Sequence, residues 1–249
     1  MAHEAGVELL LPDEEVRKHG VGEAEQDLAS ADIAVVLGGD GTMLRALQRF
    51  LDTEVPVIGV NFGRVGFLAS MQSEDLESGL ARVFSGEYDV VELATLEVEV
   101  GDQRAAAVND VVALSATRGR MVELAWSVGG EDLGVQPCDG MICATPTGST
   151  AYNLSNGGPV LVRGLEAVSV TFIAPHSLHA RPLVVPRGLD IEIRNETTDV
   201  DATVIVDGHV LAEVGAGSPI LVRLGEQRSL LAMLPEATFF QRYRTTFVD

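Results

Sequence analysis

The sequence GGDGT at residues 38–42 places one acid, Asp40, among three glycines. Glycines let a ligand approach the main chain closely, and the unpaired amide groups at the start of a helix favour an anion such as phosphate. A carboxylate beside a bound phosphate makes sense if it accepts a proton from an attacking hydroxyl group, or if it works with a divalent cation. Residues 38–42 therefore predict a phosphate-binding loop in which Asp40 does chemistry. The alternative is that Asp40 only caps the helix.

A second polar segment, residues 139–160 with the sequence DGMICATPTGSTAYNLSNGGPV, interrupts a stretch of β-type sequence. Its proline and glycines predict an irregular loop, and its hydroxyl and amide groups are suited to binding a ligand. Tyr152 could stack on or hydrogen-bond to a purine, and Thr150 and Ser155 could bond to a base or a ribose. The alternative is a polar surface loop in which Tyr152 fills the core.

Asn109 and Asp110 form a polar pair inside an otherwise apolar strand run. Such a pair is costly to bury unless its polar atoms are hydrogen-bonded. A sugar diol bound by the Asp110 carboxylate would satisfy that requirement, so we predict a second ligand contact here.

The residues around the glycine loop predict the elements that hold it. Residues 33–37, IAVVL, form a short apolar run typical of a buried parallel strand, and the run stops at the glycines. Apolar residues then recur at helical spacing from Met43 to Leu51. The loop therefore joins the carboxyl end of a strand to the start of a helix, which is where open α/β sheets bind ligands.

Further α/β elements are predicted on both sides of this loop. Residues 7–11 are predicted to form a strand, and residues 55–60 form a second buried strand candidate. The sequence NFGRVGFL at residues 61–68 again places glycines and an arginine at the end of a strand, and Ser73 caps a helix to about Phe84. Because a doubly wound unit usually begins with a strand and a crossover helix, we expect an amino-terminal element to be missing.

After this region the sequence becomes a series of alternating or β-branched runs separated by turn residues. We predict two domains: a doubly wound, Rossmann-like α/β domain in residues 1–90 and an all-β domain in residues 91–234. The aromatic and basic tail, residues 235–249, is predicted to pack back on the first domain.

Composition excludes several classes of function. Seventeen basic and 37 acidic residues give a net charge of −20, which argues against binding nucleic acid or an anionic membrane. Lys18 is the only lysine, so the phosphate loop that ends in Gly-Lys-Ser/Thr cannot occur. Cys138 and Cys143 lack the second pair that a zinc site needs. His176 and His179 have the spacing HxxH, but without an acidic partner nearby in the sequence a structural or pocket-edge role is favoured over a metal site. We assign no residue as a metal ligand and predict that the two cysteines are reduced in a cytoplasmic protein. No run approaches membrane-spanning length, and the amino terminus has no signal-peptide layout.

Several motifs together resemble the NAD kinases. These are GGDGT at residues 38–42, ND at 109–110 and TPTGSTAYNLS at 145–155, in the order and approximate spacing of that family. NFGRVGFL at Asn61 and the Asp207-Gly208 pair are also similar. Phosphofructokinases and diacylglycerol or sphingosine kinases carry loops like GGDGT, whereas TPTGSTAY together with ND is specific.

The resemblance implies a kinase that phosphorylates the 2′-hydroxyl of the adenosine ribose of NAD to make NADP. ATP or polyphosphate would be the donor, with a divalent cation, Mg²⁺ or Mn²⁺, and Asp40 would be the proton acceptor. The donor phosphates would lie on the main chain of Gly39, Gly41 and Thr42. It also implies small-molecule substrates as partners and a homodimer or homotetramer.

Other residues receive roles only through this resemblance. Arg45 would face bound phosphates, although it could be an ordinary exposed helix arginine, and Phe67 would lie against the adenine, although it could be a core side chain. Asn109 and Asp110 would hold NAD. The adenosine pocket would be lined by Thr147, Thr150, Ala151, Tyr152 and Ser155.

The remaining implied contacts are more distant. Asp139 would match a family carboxylate that reaches substrate across a subunit contact, and Arg120 would match a weaker basic contact. Asp207 would also contact the ligand. His209 stands where many family members carry glutamine.

Two other classes of function fit parts of the sequence. A lipid or sphingoid-base kinase would use the same phosphate loop, but its acceptor would need an apolar pocket rather than the hydroxyl-rich residues 145–155. A non-catalytic dinucleotide sensor would bind NAD and release no NADP.

Overall fold

The structure, a computed structural model, describes residues 2, 4–20, 22–24, 27–63 and 66–248. Its residues group into two compact units, one formed by Met1–Glu92 with Ser229–Asp249 and the other by Leu93–Arg228. The helices are α1 Asp13–His19, α2 Asp40–Arg49, α3 Leu76–Phe84, α4 Tyr152–Ser155 and α5 Phe239–Phe247. The strands are β1 Ala34–Leu37, β2 Val57–Asn61, β3 Met71–Gln72, β4 Asp89–Val100, β5 Gln103–Ala107, β6 Asp110–Ser115, β7 Val122–Val128, β8 Glu131–Cys138, β9 Gly140–Ala144, β10 Ala167–Ile173, β11 Leu183–Pro186, β12 Ile191–Asn195, β13 Ala202–Val206, β14 His209–Val214 and β15 Pro219–Met233.

The first unit is built on parallel strands. β1 pairs with β2 from Ala34↔Val57 to Leu37↔Val60, and β2 also pairs in parallel with β3 and with Leu231 of β15. Every residue of β2 is buried, as expected of a parallel strand covered on both faces. β1 and α2 confirm the predicted strand–loop–helix around residues 38–42. The predicted burial of the strand is wrong, since only Val36 of β1 is buried and β1 stands at the end of the strand order in its sheet.

The predicted strand at residues 7–11 is wrong. Its residues form only an isolated bridge between Leu11 and Ala24, because the described residues give this run no neighbouring strand to form a ladder with. A short helix, α1, follows instead. Its three first-turn acids and its basic last turn complement the helix dipole, and Gly20, at φ 66°, ends it.

The carboxyl-terminal segment belongs to the first unit. Glu236 binds Arg82 of α3 through two hydrogen bonds of 2.6 and 3.0 Å, a paired geometry that fixes orientation as well as position. Ala232 and Leu234 join the core formed by Ile58 and Val60 of β2.

The second unit is an antiparallel β-sandwich. One sheet has the strand order β11-β10-β9-β6-β13-β14. Opposite it lie β15-β12-β7-β8, with β4 pairing both β15 and β5. A single core of alternating inward-facing side chains, such as Met141, Ile193 and Val222, fills the space between them. An α/β region joined to a sheet-rich region confirms the predicted fold class.

Candidate active site

The carboxylate of Asp40 is held by the loop between β2 and β3. Asp40 is the first residue of α2, whose N-cap is Gly39. The Phe67 amide donates to Asp40 Oδ2 at 2.8 Å, and the Leu68 amide donates to Oδ1 at 3.2 Å. The alternative that Asp40 only caps its helix is therefore wrong. Because each carboxylate oxygen can accept more than one hydrogen bond, the group is fixed in orientation and still able to accept a proton.

This loop approaches Asp40 so closely that position 66 requires glycine. A Cβ atom on Gly66 would lie 2.2 Å from Asp40 Oδ1 and 2.4 Å from Oδ2. The sequence indicated glycines at this strand end but not the contact with Asp40. Arg64, the arginine predicted in the same loop, and Val65 lie outside the described residues.

The glycines before and inside α2 differ in what surrounds them. A Cβ atom on Gly38 would lie 2.8 Å from Thr42 Oγ1, so packing explains that glycine. No atom of the described residues lies within 4 Å of a Cβ built on Gly39 or Gly41, so packing does not explain those two. Arg45, one turn into the helix, is exposed, and its Nη2 lies 3.5 Å from Thr42 Oγ1.

An arginine that the sequence analysis did not single out lies near this group. Arg242 of α5 donates from Nη2 to the Ala69 carbonyl at 2.6 Å. Partial burial lowers the pKa of Arg242, and the negative charge of Asp40 opposes that shift by raising it. The only signal in the sequence was that residues 235–249 are aromatic and basic.

Phe67 packs as a core side chain. It is 8% exposed, and its ring centroid lies 5.9 Å from the centroids of both Phe239 and Phe247 on α5. The same residue donates its amide to Asp40, so Phe67 links α5 to the acid.

In the second unit, Asp207 organises the segment that contains Asn109 and Asp110. Its carboxylate accepts hydrogen bonds from the amides of Val108, Asn109 and Asp110 at 2.7, 2.8 and 2.9 Å. Asp207 also has a positive φ of 47°, which Asp and Asn adopt more readily than most residues. Its side chain thus holds three successive residues of the main chain in one curved arrangement.

A buried side-chain oxygen at this position, the Oδ1 atom of Asn109, has no hydrogen-bond partner in the part of the chain that the structure describes. The neighbouring side chain of Asp110 is buried at 7% exposure beside the negative charge of Asp207. Burial first, and the negative charge of Asp207 second, raise the pKa of Asp110 to about 7. Buried polar groups without partners are rare and costly, so each calls for a ligand or an equivalent partner.

The hydroxyl-rich loop packs directly on this pair. Thr145 donates from Oγ1 to the Val108 carbonyl at 2.6 Å and from its amide to the Asn109 carbonyl at 2.9 Å. A Cβ atom on Gly148 would lie 2.0 Å from the Asn109 carbonyl oxygen. The fold therefore brings the loop and the polar pair into contact. This contact could not be predicted from the sequence.

The polar side chains of the loop divide into two groups. Asn153 is fully buried, and its side chain bonds to the carbonyls of Ser149 and Pro159 and to the hydroxyls of Ser169 and Thr171. Such side chains stabilise the loop. Others remain on or near its surface; these are Thr150, Ala151, Tyr152 and Ser155, while Thr147 is buried.

Tyr152 is 42% exposed. The alternative in which it fills the core is therefore wrong.

The outlying predicted residues lie elsewhere in the second unit. Arg120 donates to Asp199 at 2.7 Å, an exposed ion pair. Asp139 is half-buried between β8 and β9, where its main chain bonds to Ser115 and Ile173. His209 is exposed at the start of β14.

Other features that bear on function are the two cysteines, the grouping of metal-ligating side chains and the length of the helices. Cys138 and Cys143 are free and buried, and burial raises the pKa of both thiols to about 12. Among the residues that the structure describes, no three His, Cys, Asp or Glu side chains are grouped to hold a metal ion. No helix in the described ranges is long and apolar enough to cross a membrane.

A fixed acid in a glycine loop, together with a hydroxyl-rich loop beside a buried side-chain oxygen that has no partner among the described residues, places the chain among nucleotide-binding phosphotransferases. Models of the ATP-NAD kinase N-terminal and C-terminal domains match residues 10–88 and 108–233. The chain belongs to the NAD kinase family.

Relatives and solved structures agree with this assignment. The chain is 40% identical to an NAD kinase of Azoarcus over 83% of this chain and 74% of the relative. It is 38% identical to an NAD kinase of Heliobacterium modesticaldum over 89% and 80%. Among structures, yeast NADH kinase complexed with NADH has a TM-score of 0.81 at 27% identity, over 91% of this chain and 70% of that one. An Archaeoglobus fulgidus NAD kinase in complex with ATP has a TM-score of 0.75 at 30% identity, over 94% and 91%.

Proposed function

We propose that this chain transfers a phosphoryl group from ATP or polyphosphate to the 2′-hydroxyl of the adenosine ribose of NAD, with Asp40 as the proton acceptor. As a member of the family, the chain phosphorylates NAD to NADP. The observation that carries the role of Asp40 is its carboxylate, fixed by two amides of a neighbouring loop at the start of α2.

The first unit is assigned to the phosphoryl donor. The start of α2 offers amide groups and a positive dipole end to the donor phosphates, and the space beside Gly39 and Gly41 lets phosphate approach the main chain. Thr42 and Arg45 border the same helix start. Arg45 supplies a positive charge for an anionic substrate, which a protein with a net charge of −20 must provide locally.

A divalent cation, Mg²⁺ or Mn²⁺, would complete this site. The described residues form no cage of three ligands, but Mg²⁺ is usually bound through substrate phosphates and one or two carboxylates. Asp40 and the donor phosphates fit that pattern. When bound, the cation would neutralise the charge on the phosphates.

The second unit is assigned to NAD. The buried Asp110 carboxylate accepts hydrogen bonds from a ribose diol, and Asn109 Oδ1, which has no partner among the described residues, accepts one further bond from the ligand. The exposed ring of Tyr152 stacks on the adenine. The pocket is completed by Thr147, Thr150, Ala151 and Ser155.

More distant residues take weaker roles. Asp139 and Arg120 contact substrate in a homodimer or homotetramer, Asp207 acts mainly by shaping residues 108–110, and His209 borders the ligand. Phe67 borders the adenine only by one edge, since most of its ring is covered. We assign the protein to the cytoplasm.

In the reaction, Asp40 takes the proton of the 2′-hydroxyl as the hydroxyl oxygen attacks the terminal phosphorus of the donor. The bond between that phosphorus and its bridging oxygen breaks, and ADP or the shortened polyphosphate leaves with the electron pair. The transition state of such transfers is loose, so positioning supplies most of the catalysis. The Phe67 and Leu68 amides keep the carboxylate oriented toward the hydroxyl.

The test is an assay of purified protein with NAD, ATP and Mg²⁺ for the appearance of NADP. For Asp40→Asn we expect kcat to fall by ~10² or more with an unchanged Kd for NAD, since general base catalysis contributes on that scale. Asp52→Asn, at an exposed position with φ 59° that Asn tolerates, is the matched control and should retain wild-type kcat.

The two alternative classes of function, a dinucleotide sensor and a lipid kinase, give different results in this assay. NAD binding without NADP would identify a dinucleotide sensor, and transfer to a sphingoid base or diacylglycerol in place of NAD would identify a lipid kinase. Wild-type turnover in Asp40→Asn would refute the role of Asp40.

A further inference from the structure

We infer that Arg242, on the carboxyl-terminal helix α5, is a positioning residue for phosphoryl transfer. It holds the loop of residues 66–69 in place so that this loop can fix the carboxylate of Asp40. The inference rests on the proposed role of Asp40 as the proton acceptor.

Two consecutive residues of this loop bond to the acid, and the residue after them bonds to α5. The amides of Phe67 and Leu68 point to Asp40, at 2.8 and 3.2 Å. The next carbonyl, that of Ala69, accepts from Arg242 at 2.6 Å. The loop therefore lies between the carboxylate and the guanidinium and is bonded to both.

Phe67 provides a second link between the loop and the same helix. Its ring lies 5.9 Å from those of Phe239 and Phe247, which flank Arg242 in sequence. The rings supply apolar contact but no direction, whereas a hydrogen bond from a charged donor fixes the carbonyl to which it is made. Arg242 thus sets the orientation of the peptide plane that follows the two amides.

The placement of Arg242 is costly unless it serves this purpose. Burying part of a guanidinium disfavours its charge, and here the compensating groups are a carbonyl of the loop and the negative charge of Asp40. Both belong to the structure around the acid. A helix needing only to pack on this unit would do so with its aromatic side chains.

The loop of residues 66–69 is packed closely against Asp40. The main chain at Gly66 is so close that a methyl group there would overlap Asp40 Oδ1, and two hydrogen bonds join the next two amides to the carboxylate, so a shift of this loop changes the position of the carboxylate. A displacement of about 1 Å in a reacting group can cost 10²-fold in rate. We therefore expect Arg242→Gln to lower kcat by roughly 10- to 100-fold, with the KM for NAD and the KM for ATP unchanged within about twofold.

The experiment compares three variants with the wild type in the NADP assay. Arg242→Lys keeps a charged donor and should recover part of the kcat lost in Arg242→Gln. Arg244→Gln changes an exposed arginine of the same helix and should leave kcat unchanged. Thermal unfolding of each variant reports on folding, and a raised KM for ATP with unchanged kcat in Arg242→Gln would overturn the inference in favour of a direct phosphate contact.

A double-mutant cycle decides whether Arg242 acts through Asp40. In an Asp40→Asn background, Arg242→Gln should lower kcat by less than about twofold, because the group it positions is already lost. A full 10- to 100-fold effect in that background would overturn the inference. If Asp40→Asn alone keeps wild-type kcat, the proposed function of Asp40 fails; if it loses kcat while Arg242→Gln does not, only the inference fails.

Discussion

At the scale of single residues, Asp40 and Asp110 differ in what surrounds their carboxylates. Asp40 accepts two amide hydrogen bonds from a loop, whereas the side chain of Asp110 is buried beside the negative charge of Asp207. The first arrangement suits a group that must be oriented for reaction. The second suits a group that is completed by a ligand.

The pH dependence of stability tests the environment of Asp110. Because burial raises its pKa from 3.8 to about 7, the folded state binds a proton more tightly than the unfolded state. Between those values the folded protein is protonated there while the unfolded chain is ionised, so its contribution to stability is lost as pH rises from about 4 to 7. Relative to Asp110→Asn, the wild type should lose a few kcal/mol between pH 5 and pH 8.

Urea unfolding of both proteins at the two pH values measures this difference. Equal changes in the two proteins would show that the Asp110 carboxylate is not penalised by burial.

A substitution at Gly41 has separate effects on the stability of the protein and on the binding of the phosphoryl donor. Gly41→Ala meets no described atom within 4 Å and replaces glycine in a helix, so it should raise stability by about 0.5–1 kcal/mol. If donor phosphate lies on this main chain, the added methyl group should raise the KM for ATP by about tenfold or more, a cost of ~1.4 kcal/mol. The two effects have opposite signs, and a more stable variant with a normal KM would contradict the donor site.

At the scale of elements, the segment of residues 108–110 depends on β13 and the turn after it. Asp207, the residue after β13, accepts hydrogen bonds from three amides of that segment. The hydroxyl-rich loop packs on the same residues. A change in the turn is therefore expected to alter the proposed NAD contacts at Asn109 and Asp110 without changing those residues themselves.

Asp207→Ala tests this dependence. Three buried or half-buried amides lose their acceptor, and alanine is strained at a φ of 47°, so unfolding free energy should fall by about 2–5 kcal/mol and the KM for NAD should rise. Asp207→Asn retains one acceptor oxygen and tolerates this backbone conformation, so it should lose less. Denaturant unfolding and NAD titration measure both quantities, and equal losses in the two variants would rule out the acceptor role.

At the scale of the whole molecule, the net charge of −20 destabilises the folded state through repulsion. Sodium chloride screens that repulsion, because the Debye length falls from about 10 Å at 0.1 M to 3 Å at 1 M. We expect Tm to rise by several degrees between 0.02 and 0.5 M salt, as about 1 kcal/mol corresponds to ~2–4 °C in a chain of this size. Scanning calorimetry across the salt series provides the measurement, and a falling Tm would show that the ion pairs outweigh the repulsion.

The amino-acid sequence by itself determined the strand, glycine loop and helix around Asp40, the β-rich character of the second region and the motifs of the NAD kinase family. These features are local: an apolar period or a turn residue is legible within a dozen positions. The strand expected at residues 7–11 failed because a strand requires a partner, which a local pattern does not supply.

Only the tertiary structure decided which polar groups serve the fold and which are left for a ligand. Asp207 meets Val108 across 99 positions, and Arg242 meets Ala69 across 173, so no sequence period links them. Asn153 and Tyr152 are neighbours in one motif, yet the first is buried in hydrogen bonds and the second is exposed. The physical reason is that burial and hydrogen-bond partners are set by the packing of distant segments, whereas residue type and spacing show only what each side chain is able to do.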